Sequence, residues 1–205
     1  MDQQKYIDDL KEIKSIMSRS SRLISLSGLA GVFAGVFALA GAYLAYDTVY
    51  ADQNYLGYRV AVLTNETITS LLTIAIATLI LSISAGVFFT SRRAKKTNEK
   101  LWDHQTKRLL INLFIPLATG GILCLILLSK GYIGIVAPLT LIFYGLALVN
   151  ASKYTLDEIR SLGLLEIALG LFATYFIGYG LIFWGIGFGV LHIIYGLVMH
   201  RRYES

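Results

Sequence analysis

The chain alternates long apolar runs with short polar segments. Residues 23–46 give 24 positions without a charge, residues 67–91 give 25, residues 109–129 give 21 and residues 131–152 give 22. A helix that crosses a bilayer needs roughly 20 mainly apolar residues, rising 1.5 Å each through about 30 Å of hydrocarbon. Each run meets that length. Residues 162–199 form a 38-residue run whose only acidic, basic or histidine positions are Glu166 and His192. As a helix it would reach about 57 Å, close to two crossings. Gly178-Tyr179-Gly180 lies at its middle and suits a tight turn. The pattern predicts an all-α, polytopic membrane bundle of six helices in three hairpins. The expected spans are 23–46, 67–91, 109–129, 131–152, 162–177 and 181–199, within a membrane domain covering 23–200.

The polar segments are short. In residues 1–22, Tyr6, Leu10, Ile13 and Met17 recur at one helical face, and Lys5, Lys11, Lys14 and Arg19 are balanced by Asp2, Asp8, Asp9 and Glu12. An amphipathic helix is expected, lying on the inner leaflet or docking a cytoplasmic protein partner. The first apolar run exceeds the 7–15 residues of a signal-peptide core and follows a polar lead, so a retained helix is expected. Residues 201–205 form a short tail.

Composition agrees with the pattern. Charged residues make up 15% of the chain, against about 25% in soluble domains. The hydrophobic fraction is 56% and the mean hydropathy is +0.64. A soluble domain and a mainly disordered chain are both excluded. Cys124 has no partner cysteine, which excludes a disulfide-stapled module.

Charge sets the orientation. Under six spans, 16 of the 18 Lys and Arg residues fall on one side, leaving Arg59 and Lys130 opposite. That asymmetry places both termini in the cytoplasm and suits a bacterial cytoplasmic (inner) membrane. The net charge of +5 is then a topology signal. No segment outside the spans is long enough for a nucleic-acid-binding domain. Residues 92–108 are the most basic stretch. Arg92, Arg93, Lys95 and Lys96 are candidates to hold anionic headgroups through charge alone. Tyr43, Tyr46, Tyr50, Tyr55 and Tyr58 surround the opposite loop as an aromatic belt.

Small residues suggest close helix packing. Ser27, Gly31 and Gly35 recur at spacing four, beside Ala30, Ala34, Ala38 and Ala42. Such rows let backbones approach, either within the chain or across a homo-oligomer seam. The second and third hairpins also echo one another. Ile142-Phe-Tyr-Gly-Leu146 matches Ile193-Ile-Tyr-Gly-Leu197 at an offset of 51, and Pro116–Gly120 matches Glu166–Gly170 at 50. Two like hairpins related by an axis along the membrane normal are implied. Pro116 and Pro138 sit within spans and would free the carbonyls of Asn112 and Gly134.

No HExxH, GxSxG, Walker or paired-cysteine pattern is present, and His104, His192 and His200 are not spaced as a metal set. A non-enzymatic protein without cofactor or metal is expected.

The runs Ser20-Ser-Arg-Leu-Ile-Ser-Leu-Ser-Gly-Leu-Ala-Gly31 and Tyr144-Gly-Leu-Ala-Leu-Val-Asn-Ala-Ser-Lys-Tyr154 resemble those of a conserved family of six-helix membrane proteins of Bacteroidota-type bacteria. The resemblance extends over the chain and implies the same fold. It favours a sensory or regulatory role and brings no assigned activity or site residues.

Glu166 and His192 are the leading candidate pair. Each lies 13 residues from Tyr179, so a turn there brings them to equal depth. Gly163, Glu166 and Gly170 share a face of the fifth helix, and Gly185, Gly189, His192 and Gly196 a face of the sixth. Those two faces are expected to pack with the ionisable groups meeting in the seam, either as a structural hydrogen bond that fixes register or in a proton-linked or ligand-binding role. Asn112 and Tyr195 complete the ligand- or proton-binding candidates. Two function classes follow. One is a membrane sensor or adaptor that couples a signal in the bundle to a cytoplasmic partner. The other is a small-solute or proton-linked channel or transporter with Glu166 and His192 in its pathway.

Overall fold

The structure is a computed structural model and describes residues 6–10, 13, 27–50, 64–97 and 102–204. Every regular element among the described residues is helical. Helix α1 is Gly28–Tyr50, α2 Asn65–Thr97, α3 His104–Ser129, α4 Val136–Ala151, α5 Asp157–Tyr175 and α6 Gly180–Tyr203. Single 3-10 turns at Ile133–Ile135 and Ser152–Tyr154 lengthen α4 at both ends. Residues 6–10 and 13 are helical and expose Tyr6, Ile7, Leu10 and Ile13. The rest of the expected 1–22 helix, and Tyr55 and Tyr58 of the tyrosine-rich loop, lie outside the described residues.

Five helices, α1 to α4 and α6, are long and apolar enough to cross a membrane. The fifth element of the chain differs. Helix α5 has 19 residues, opens with Asp157 and Glu158, and carries Arg160 and Glu166. It ends at Tyr175, before the expected 177, because Gly178 turns the chain with φ +104°. Gly131 does the same between α3 and α4 with φ +84°. Glycine adopts these angles without the steric cost a Cβ would bring. Helix α2 overruns its expected span at both ends. Its 33 residues reach about 50 Å, so Arg92, Arg93, Lys95 and Lys96 continue a helix and do not form a loop. Thr64 opens it by accepting the Thr67 N–H at 3.1 Å, and Asp103 opens α3 by accepting the Thr106 N–H at 2.7 Å.

The helices form an open series. α2 packs on α1, α1 on α6, α6 on α5 and α4, α4 most extensively on α5, and α3 on α4. In hydrocarbon, van der Waals fit between small residues holds such contacts. The glycines show where. A Cβ at Gly196 would lie 2.6 Å from the Gly28 carbonyl oxygen and the Val32 nitrogen, and one at Gly35 would lie 2.6 Å from the Gly189 oxygen. One at Gly163 would lie 2.7 Å from the Gly145 oxygen. The small-residue row of α1 therefore seats α6 within the same chain. The expected pairing of glycine faces between α5 and α6 is corrected. Gly163 and Gly170 pack against α4, while Gly189 and Gly196 pack against α1.

The prolines differ from one another. Pro116 lies inside α3, and the Asn112 carbonyl that it frees accepts a hydrogen bond from the Asn150 side chain of α4 at 2.9 Å. The break is thus sealed by a neighbouring helix. Pro138 lies in the first turn of α4, where an N–H has no helical acceptor to lose. It breaks no helix, contrary to the sequence expectation.

Candidate functional site

The site is centred on a wide turn of α6. Residues Gly185–Leu191 form a π-helical segment within an otherwise α-helical rod. Its i→i+5 spacing stacks residues five apart, whereas in an α-helix they point about 140° apart. Gly187 and His192 are five apart and share a face. The His192 Nδ1 lies 3.0 Å from the Gly187 carbonyl oxygen, and its Nε2 lies 2.8 Å from the Tyr144 hydroxyl of α4. A carbonyl only accepts, so Nδ1 carries the hydrogen. Nε2 is then the acceptor, and Tyr144 donates to it. Phe188 stacks on the imidazole with ring centroids 5.9 Å apart and meets Tyr144 at 4.8 Å.

Glu166 reaches this group from α5. Its Oε1 lies 3.5 Å from His192 Nδ1, and the glutamate is 0% exposed against 8% for the histidine. The expected neighbours meet, at ion-pair range and without a direct hydrogen bond. The separation exceeds the usual 2.7–3.2 Å, and the Nδ1 hydrogen is directed to Gly187. Neither Glu166 oxygen has a hydrogen-bond partner among the described residues. Gly187 makes room for the carboxyl, since a Cβ there would overlap Glu166 Oε2 and Leu141. Buried polar atoms are nearly always satisfied, so an unsatisfied carboxyl marks a position kept at a cost to the fold.

The other wall of the site is a cleft of about 230 Å³. All six helices line it, through Gly31, Gly86, Leu113, Tyr144, Leu162 and His192 respectively. Tyr195 also lines it, half-buried beside His192. Asn112 does not join this group. Its side-chain nitrogen donates to the Arg108 carbonyl at 2.8 Å, and its own carbonyl receives Asn150. Tyr144 and Gly187 were absent from the sequence-derived site. The signal for Tyr144 lay in the internal repeat, where it is the counterpart of Tyr195 at the offset of 51. No motif marks Gly187.

A polar cluster closes the same end of the bundle. Glu204 Oε1 accepts the Gly28 N–H at 2.6 Å and the Arg93 guanidinium at 2.9 Å, and Oε2 meets His200 Nδ1 at 2.7 Å. Arg93 also donates to the Tyr203 carbonyl at 3.1 Å. Arg202 and the Tyr203 hydroxyl both donate to Glu158 Oε1, at 2.7 and 2.8 Å. Residues 202–204 therefore fasten α6 to α1, α2 and α5. The equivalence of the four basic candidates is corrected here. Arg92, Lys95 and Lys96 are exposed, but Arg93 is turned inward into a specific contact. A lysine could not reproduce its two-pronged geometry.

Burial raises the Glu204 carboxyl, but the Gly28 N–H, the His200 ring and the Arg93 guanidinium outweigh it and hold the group below its ordinary value of 4.5. A lowered carboxyl stabilises the folded state above that ordinary value, and the contribution is lost as pH falls through the lower folded one. Acidification from neutral to below 4.5 is thus expected to lower the midpoint of thermal unfolding in detergent. Glu204→Gln should be less stable at neutral pH and show a shallower acid dependence. A parallel dependence in the two proteins would remove Glu204 from the account.

No family model, curated protein or solved structure matches the chain.

Proposed function

We propose that the chain is a non-enzymatic sensor or adaptor of the bacterial cytoplasmic membrane, which binds a small, largely apolar molecule in the six-helix cleft. Occupancy is passed to a cytoplasmic protein partner through the fastened end of the bundle. The observation that carries this reading is the cleft itself. It draws a wall from each of the six helices, so a ligand inside it would touch them all. Its lining is apolar apart from a few hydroxyls and the His192 edge, the composition of a ligand pocket. Filling it by Leu113→Trp is expected to leave a folded protein that no longer retains a small molecule through purification, as read by native mass spectrometry. Equal retention by the variant and the parent would overturn the reading.

The proposal takes six spans with both ends cytoplasmic. It is supported by the 16 of 18 basic residues on one side and by Gly28 and Glu204 meeting at one end of the bundle. Cys124 is buried, so introduced cysteines report cleanly. Tyr132→Cys should react with an impermeant maleimide added to intact cells, and Thr97→Cys should react only after lysis. The reverse pattern would invert the topology. The three exposed basic residues, Arg92, Lys95 and Lys96, would then face anionic headgroups of the inner leaflet.

A second reading, proton-linked passage of a small solute, is favoured by one observation. Tyr144, His192 and Glu166 lie in sequence from the cleft wall to a buried carboxyl, with 2.8 Å and 3.5 Å between them. In proteoliposomes the sensor reading gives no net proton or solute flux. A flux that Glu166→Gln abolishes would establish the transporter instead.

A further inference from the structure

We infer that the cleft selects a neutral ligand that donates a hydrogen bond to the oxygen of Tyr144, a small aliphatic alcohol being the simplest member of the class. The inference rests on the ligand-binding reading above and adds what the ligand must carry.

With the imidazole neutral, the hydrogen positions follow one from another. The Gly187 carbonyl can only accept, which places the imidazole hydrogen on Nδ1. Nε2 is therefore a bare lone pair, and the Tyr144 hydroxyl spends its single hydrogen there at 2.8 Å. Tyr144 and His192 both line the cleft. The tyrosine oxygen then has lone pairs to offer and no hydrogen. A ligand group that only accepts, such as an ether, a ketone or a carboxylate, gains nothing from it. A hydroxyl gains a hydrogen bond in surroundings where an unmade one is costly.

Charge and size narrow the class. An ammonium group also donates, but no carboxylate lines the cleft among the described residues, and Glu166 is fully buried outside that lining. A cation buried without a contacting anion is disfavoured. The cleft of about 230 Å³ can be set against an apolar cavity of about 150 Å³ that accepts benzene, which scales to about nine non-hydrogen atoms. The π segment is the device behind this selection. Without the five-residue spacing, Gly187 could not fix the imidazole hydrogen and the tyrosine would be free to donate instead.

The full chain in lipid nanodiscs would be irradiated with a diazirine-bearing aliphatic alcohol of about nine non-hydrogen atoms. Its methyl ether and its primary amine would be run in parallel, and the labelled residues mapped by mass spectrometry. The alcohol should label Leu113, Leu148 or Met199 about five-fold more than the ether, the worth of one neutral hydrogen bond. Tyr144→Phe combined with His192→Phe should bring the alcohol down to the ether level, since Tyr144→Phe alone would leave the imidazole Nε2 to accept in place of the tyrosine. The alcohol-to-ether ratio in the unaltered protein decides the matter even if that variant does not fold. Equal labelling by alcohol and ether would overturn donor selection and leave the ligand-binding reading standing. Stronger labelling by the amine would overturn neutrality. No labelling of the cleft by any probe would overturn the ligand-binding reading and this inference together.

Discussion

Replacing Glu166 by methionine is expected to make the protein more stable, by about 1–3 kcal/mol, and to silence it. The two carboxyl oxygens are buried without a hydrogen-bond partner among the described residues, and the side chain is wholly enclosed. An unsatisfied buried polar group costs about that much, and an apolar side chain of similar volume recovers it without a cavity. Methionine matches the length and adapts to the gap beside Gly187. For a chain of this size the gain should raise the unfolding midpoint in detergent by roughly 2–4 °C per kcal/mol. Loss of ligand retention or of partner capture should accompany it. A methionine variant less stable than the parent, with Glu166→Gln restoring stability, would make the carboxyl a structural acceptor and remove it from the functional site.

Gly196→Leu is expected to leave no folded protein. Its Cβ alone would stand 2.6 Å from two backbone atoms of α1, which cannot swing aside as a side-chain tip could. Overpacking by single methylenes already costs about 1–3 kcal/mol, and leucine adds four heavy atoms against a total stability of about 5–15 kcal/mol. Fluorescence-detected size exclusion should show aggregate in place of a monodisperse peak. Gly121→Leu is the matched control, since nothing lies within 4 Å of its would-be Cβ, and it should run as the parent does. A normal Gly196→Leu peak would break the α1–α6 contact and return the small-residue row of α1 to a seam between two copies.

Much of this arrangement can be read from the residues. The lengths of the apolar runs locate the long helices, and Gly178 locates the last turn, because both follow from local chemistry. Equal distance from that turn is enough to bring Glu166 beside His192. The partners of each glycine face are a different matter. Any small-residue face fits any other, so periodicity cannot tell that Gly196 seats on Gly28 and Gly163 on Gly145. The π segment was hidden because a face drawn at 3.6 residues per turn assigns Gly185 and Gly189 to the seam and skips Gly187. Tyr144 was hidden for the same reason, since its importance depends on where the widened turn aims His192. Arg93 looks like any basic residue in its run until Glu204 is set beside it in space.

The contact between Gly28 and Glu204 joins positions 176 residues apart. A ribosome adding about 5–20 residues per second needs roughly 9–35 s to make the second after the first. Throughout that interval the glycine row of α1 is uncovered, because the only described element that seats it, the one carrying Gly196 and Gly189, has yet to be synthesised. The first hairpin must therefore wait, and assembly is completed by the last helix made. A chain halted before Gly196 would present to its neighbours the surface that the finished molecule keeps for itself.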